Sequence, residues 1–68
     1  MAEGPIYRVW EVENTADDSH CLIAVSNVRE VSLRQDIEEG RYTMRLVRIV
    51  AETRDRNEAR EMAGGAEM

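Results

Sequence analysis

Arg41-Tyr42-Thr43-Met44-Arg45-Leu46-Val47-Arg48-Ile49-Val50-Ala51 is the stretch on which the fold class turns. As an extended chain it places Tyr42, Met44 and Leu46 on one face, after which Val47, Ile49 and Ala51 take over the apolar role. That exchange of faces at Leu46-Val47 predicts a β-bulge, because one extra residue reverses the side-chain register. A central strand covered on both sides accounts for the same residues without a bulge. Leu46, Ile49 and Val50 also match helical spacing, but β-branched residues at Val47, Ile49 and Val50 favour a strand.

Upstream, Ile6-Tyr7-Arg8-Val9-Trp10-Glu11-Val12-Glu13 is rich in β-branched and aromatic residues and reads as a strand. Ile6, Trp10 and Val12 share a face with Arg8. Either the Arg8 stem lies over apolar neighbours while its head reaches water, or this is an edge strand. Asn14 to Ser19, with Asp17-Asp18, is a polar turn before a second apolar run, Cys21-Leu22-Ile23-Ala24-Val25. Two such strands joined by a short turn form an antiparallel hairpin.

Between the hairpin and the 41–51 strand, Asn27 with Glu30 and Ser32 with Gln35 both have capping-box spacing. The first start separates Val28 and Val31 from Leu33 and Ile37 and gives a poor amphipathic stripe; the second makes Leu33 and Ile37 an i, i+4 pair. The reading adopted is a helix well formed over roughly residues 29–39, closed by Gly40 in the left-handed conformation. Residues 52–63 are charged and helix-favouring, with only Ala59 and Met62 as apolar contacts, which predicts a frayed helix. Gly64-Gly65-Ala66-Glu67-Met68 reads as a flexible tail. The expected fold is therefore α+β, ββαβ: a small antiparallel sheet of three to four strands, one packed helix and a frayed C-terminal helical tail, as a single domain over 1–63 with the tail at 64–68.

A chain of 68 residues buries only about 60% of the surface that its unfolded form exposes. Small cores are usually supported by disulfides, a metal or association. The single cysteine excludes an intrachain disulfide, and His20 and Cys21 alone cannot complete a closed zinc site. Association is the support that remains. All nine cationic residues are arginine, a bias read as codon usage in a GC-rich genome; a halophilic surface would be richer in Asp than in Glu, the reverse of this chain. The formal charge of −5 speaks against direct nucleic-acid binding and favours a partner with a basic surface. No run approaches the roughly 20 apolar residues of a membrane span. Met1-Ala2-Glu3-Gly4-Pro5 lacks the basic and apolar regions of a signal peptide, so the cytoplasm is the expected compartment.

Catalytic residue types are scarce. A nucleophilic cysteine needs a base within hydrogen-bond reach, but His20 and Cys21 are successive strand residues and face opposite ways. Cys21, heading an apolar run, is expected to be a buried small hydrophobe. Glu11 and Glu13 share a strand face, yet metal binding and acid-base catalysis need ligands converging from several elements, and a solvated face is the simpler account. Asn14 to Ser19 lacks the ligand spacing of a calcium loop. Arg41, Arg45 and Arg48 with Arg8 would make an arginine stripe if the last strand pairs with the first; cross-strand pairing with Glu11 and Glu13 would neutralise it.

Gly64-Gly65 resembles the diglycine of ubiquitin-like modifiers, and hairpin, helix and strand in that order resemble the start of a β-grasp fold. The order of a Tyr-containing strand ending in Glu11-Val12-Glu13-Asn14, a strand and helix, and then Met44-Arg45-Leu46 resembles that of small phage-encoded anti-CRISPR inhibitors. This second resemblance rests on element order and implies a non-catalytic protein that covers a surface of a host defence complex.

The expectation is a small acidic, non-catalytic protein-interaction module without cofactor or metal, acting by stoichiometric binding to a protein partner, with a basic surface of a larger complex as one form of that partner. Alternatives are a phage-encoded inhibitor of a host defence complex and a homodimeric assembly protein; a minimal enzyme built on His20 ranks last. The expected protein-binding residues are Tyr7, Arg8, Trp10, Tyr42 and Arg45, since aromatic and arginine side chains dominate binding hot spots. In a chain without Phe, Trp10 is equally a candidate for the centre of the core.

Overall fold

Strand-forming residues occupy three segments and helix-forming residues two. In the computed structural model, which describes residues 4–68, these are β1 (Tyr7–Asn14), β2 (His20–Ser26), α1 (Asn27–Glu38), β3 (Met44–Thr53) and α2 (Arg56–Met62). The expected start of the domain at residues 1–3 lies outside the described residues. The strands form one sheet in the order β2-β1-β3, with β1 antiparallel to both neighbours. This is the α+β architecture anticipated from the sequence. β2 and β3 therefore run in the same direction with β1 between them, and α1 makes the crossover.

The hairpin turn is built by short polar side chains. Asn14 Oδ1 accepts from the Ala16 N–H at 2.8 Å and Asp17 Oδ1 from the Ser19 N–H at 2.9 Å. Asp18 takes the left-handed backbone conformation, φ +62°, which Asp tolerates better than most residues. β1 becomes the central strand, so Arg8 does not mark an edge.

β3 is the edge strand, and its expected bulge is present. The register passes from Glu11↔Arg48 to Val12↔Leu46, leaving Val47 without a partner, and from Val9↔Ala51 to Trp10↔Ile49, leaving out Val50 as well. Two inserted residues keep Leu46 and Ile49 on the Trp10 face, while Arg45, Arg48 and Ala51 take the other. Because β3 lies at the edge, the alternative of a doubly covered central strand is excluded.

α1 begins two residues before the expected position, and neither anticipated capping box forms. The cap is Ser26, whose hydroxyl accepts from the Arg29 N–H at 3.1 Å. Asn27 instead turns back to Ile6: its Oδ1 accepts from the Ile6 N–H at 3.3 Å, and its N–H donates to the Ile6 carbonyl at 2.8 Å. Ser32 donates to the Arg29 carbonyl at 3.1 Å, the back-bonding typical of a serine inside a helix. Gly40 closes α1 with φ +81°, as expected. Leu33 and Ile37 face the sheet, whereas Val28 and Val31 point outward, more than 70% exposed.

The helices lie on opposite faces of the sheet and attach differently. Under α1 the core is Trp10, Val12, Ile23, Val25 and Leu33, with Ile37, Met44, Leu46 and Met68 packed around it. Under α2 it is Val9, Ala24, Ala59 and Ala63, flanked by Tyr7, Leu22 and Ala51. Small residues allow close approach, so α2 docks without the apolar stripe whose absence predicted fraying. Asp55 caps it, accepting from the Asn57 N–H at 2.9 Å and the Glu58 N–H at 3.2 Å. Met62, expected to be a contact, is largely exposed, and Ala63 takes its place.

Residues 64–68 do not trail away. Gly64 and Gly65, at φ +66° and +91°, turn the chain back onto the outer edge of β2. There the Ala24 N–H donates to the Ala66 carbonyl at 3.0 Å and the Met68 N–H to the Ala24 carbonyl at 2.9 Å, a parallel bridge. The diglycine is thus part of a turn. The strand after α1 pairs antiparallel to the first strand.

Candidate interaction surface

Trp10 lies 6% exposed in the core beneath α1, and its Nε1–H donates to Glu30 Oε1 at 2.8 Å. Glu30, on α1, is itself only 8% exposed. It also accepts from Arg8 Nη1 at 3.1 and 3.3 Å and from Arg34 Nε at 3.5 Å. Burial pushes the Glu30 carboxyl up, but the Trp10 and Arg8 hydrogen bonds and the charges of Arg8 and Arg34 outweigh it and hold the group below the usual carboxylate range. Arg8 reaches Glu52 on β3 through Nε at 2.8 Å, and the Arg34 guanidinium stacks 5.1 Å from the Trp10 ring centre. These residues form a polar tether joining α1, β1 and β3. Arg8 and Trp10 act inside the molecule.

The other three expected binding residues lie elsewhere. Tyr7 packs beside α2 on the opposite face. Tyr42 stands in the turn before β3, its hydroxyl accepting from Arg29 Nη2 at 3.4 Å. Arg45 lies farther along the α2 side of the sheet, paired with Glu13 at 2.8 Å. Of the five, the structure brings only Arg8 and Trp10 together.

Beyond α2, that face carries alternating charges. Arg48 bonds Glu11 at 2.7 Å, and His20 sits 3.0 Å from Glu11 and 3.5 Å from Glu13. The bonds from Arg48 and then His20 lower the Glu11 pKa. The anticipated stripe is therefore neutralised across strands; Arg8 lies on the other face, and Arg41 pairs with Asp36 and Glu39. Cys21 faces away from His20, but it is exposed and not buried as expected. Cys21 instead borders a shallow hollow with Val12, Ile23, Tyr42 and Met44. Among the described residues, no group of His, Cys, Asp and Glu is arranged to hold a metal ion, and no helix is long and apolar enough to cross a membrane.

β3 presents an open edge. Its outer edge has no strand partner among the described residues. Val47, Ile49 and Val50 remain 39%, 45% and 42% exposed along it. α1 lies chiefly over β2, leaving a groove between its Arg34, Ile37 and Glu38 side and Leu46 of β3. Sequence reasoning gave Val47 and Ile49 the apolar role on this strand, and none of the three was among the expected binding residues. The available signal was the face exchange at Val47: a bulge is commonest at a sheet edge, and edge residues lack cover.

No family model, curated protein or solved structure matches the chain.

Proposed function

We propose that this protein is a small non-catalytic interaction module that binds a protein partner stoichiometrically along β3. The observation that carries this reading is a strand whose outer edge is open and which bears three exposed apolar residues within four positions, Val47, Ile49 and Val50, beside the groove at α1. An open strand edge supplies backbone donors and acceptors for an added strand, and side chains at alternate positions supply selectivity. The bulges at Val47 and Val50 discourage indiscriminate edge pairing, which suits a selective contact better than a sticky one. Arg45 and Arg48 are neutralised by Glu13 and Glu11, so the formal charge of −5 favours a partner that is basic around the bound strand. An inhibitor that covers its target is one form of this module.

A second reading has the same edge pair with another copy. β3 carries Arg45 and Arg48 in its first half and Glu52 in its second, so antiparallel self-pairing sets unlike halves side by side.

The test pairs Val47→Glu/Val50→Glu with the control Val28→Glu, each checked for wild-type circular dichroism. A partner isolated with the wild-type chain should form a 1:1 complex with it and with the control, with NMR shifts concentrated at residues 44–53. The β3 variant should bind at least tenfold more weakly. Equal binding by all three proteins refutes the proposal, and a concentration-dependent dimer by sedimentation, abolished in the β3 variant alone, selects the second reading.

A further inference from the structure

The geometry points to a second binding edge, independent of β3: the outer edge of β2 is a slot for an extended peptide of another protein carrying Glu followed by a long apolar residue, and residues 66–68 are its built-in, displaceable occupant. The seated segment shows what the slot accepts. Its backbone is held by both polar groups of Ala24. Glu67 is gripped by Arg56 at 2.7 and 3.0 Å, with Arg60 at 4.0 Å, and the Arg56 bond lowers the Glu67 pKa. Met68 reaches the other side of the sheet and packs against the core under α1. Backbone pairing, a guanidinium pair for a carboxylate and an apolar recess for the next side chain make up a strand-addition site.

The segment fills this site incompletely. It pairs with β2 at Ala24 alone, although the strand runs from His20 to Ser26. Gly65, with φ +91°, turns the chain off the edge before it can continue toward Leu22. A partner segment without that turn can run parallel to β2 and pair there too. At the other end, a hollow lined by Pro5, Tyr7, Ser26, Val28, Arg56 and Glu67 lies beside Met68 and has room for one further side chain. It also provides a contact for the outward-facing Val28.

The hold is weak enough for exchange. Two net hydrogen bonds, an ion pair whose Arg56 side chain is mostly exposed, and a half-buried methionine oppose the entropy of fixing three residues after a glycine hinge. These terms are comparable in size. Displacement leaves α2 docked through Ala59 and Ala63.

The probe is a capped synthetic peptide, Thr-Val-Ala-Glu-Met-Val, titrated into the full chain and into the full-length Glu67→Lys/Met68→Ser variant, with both followed by NMR. Shifts should fall on Leu22, Ala24, Val25 and the Arg56 side chain. Affinity should be at least tenfold higher for the variant, whose own segment no longer competes, and a peptide with Lys in place of Glu should bind at least tenfold more weakly than the parent. Equal affinity for the two proteins, indifference to the Glu-to-Lys change, or shifts on residues 44–53 instead each overturns the assignment. The wild-type chain gives an independent check: the Met68 amide should exchange at least a hundredfold faster than the Val9 amide, and equal protection would show a fixed segment.

Discussion

The two faces of the sheet solve one problem in opposite ways. Under α1, large side chains interlock around Trp10 and Leu33, and a buried Glu30 holds the helix through Arg8, Arg34 and the indole N–H. Under α2, no buried carboxylate ties the helix to the sheet among the described residues; Ala59 and Ala63 bring the helix close to Val9 and Ala24, and Asp55 fixes its first turn. One face depends on satisfying a desolvated carboxylate, the other on having almost no side chain in the way. A small chain can therefore cover both faces of a three-stranded sheet without two large apolar helices.

This contrast predicts unequal costs. Glu30→Ala leaves the buried Trp10 indole N–H without an acceptor and takes one of two carboxylates from Arg8, which keeps Glu52, and should cost about 2–3 kcal/mol. Against the roughly 3–10 kcal/mol expected of a chain this size, that is a large share of the total, measurable by urea denaturation. A loss below about 1 kcal/mol would show that the tether is incidental. On the opposite face the damaging change is enlargement: Ala59→Leu overpacks the close approach and should cost about 1–3 kcal/mol. If Ala59→Leu is neutral or stabilising, α2 is not held by close approach.

Acid weakens both faces. The Glu30 pKa is lowered in the folded state, so its contribution is complete above the unfolded value of about 4.3 and is lost as pH falls through the folded value. Glu11 beside Arg48 and Glu67 beside Arg56 shift the same way. Stability should fall as pH drops below about 4.5, and Glu30→Gln should flatten that fall. Identical acid limbs for the two proteins would remove Glu30 from the account. The smallest effect is expected at Asp55→Ala, roughly 1 kcal/mol from the lost cap, read as faster amide exchange at Asn57 and Glu58 with little change at Leu33.

Much of the sheet was legible because its signals are local. Asn14 to Ser19 marks the hairpin, Gly40 the end of α1, and the face exchange at Leu46-Val47 the bulge. The misses share a different physics. Ser26 was hidden as a cap by Asn27 beside it, whose side chain is used by Ile6, far away in sequence. α2 shows no apolar stripe because its contacts are alanines, whose contribution lies in what they omit. Glu30 reads as half of a capping box with Asn27 until Arg8, Trp10 and Arg34 converge on it. For the candidate surface, Arg45 lies on β3 and Tyr42 in the turn before it, but the exposed residues Val47, Ile49 and Val50 were not marked for binding, and the parallel bridge to Ala24 depends on a turn at Gly64-Gly65 that resembles a flexible tail.

The position of β1 between its neighbours also sets an order of events. Its pairing with β2 needs only the short turn after Asn14, whereas its pairing with β3 must wait until β2 and α1 have both been synthesised. Long-range pairing of this kind is the slow step of folding. During that interval the β3 side of β1, with Trp10 and Val12 on one face and Val9 on the other, is an open template. A nascent chain is then most vulnerable to strand exchange with its neighbours, and the doubly bulged β3 is the late-arriving piece whose irregular spacing fits that template in one register.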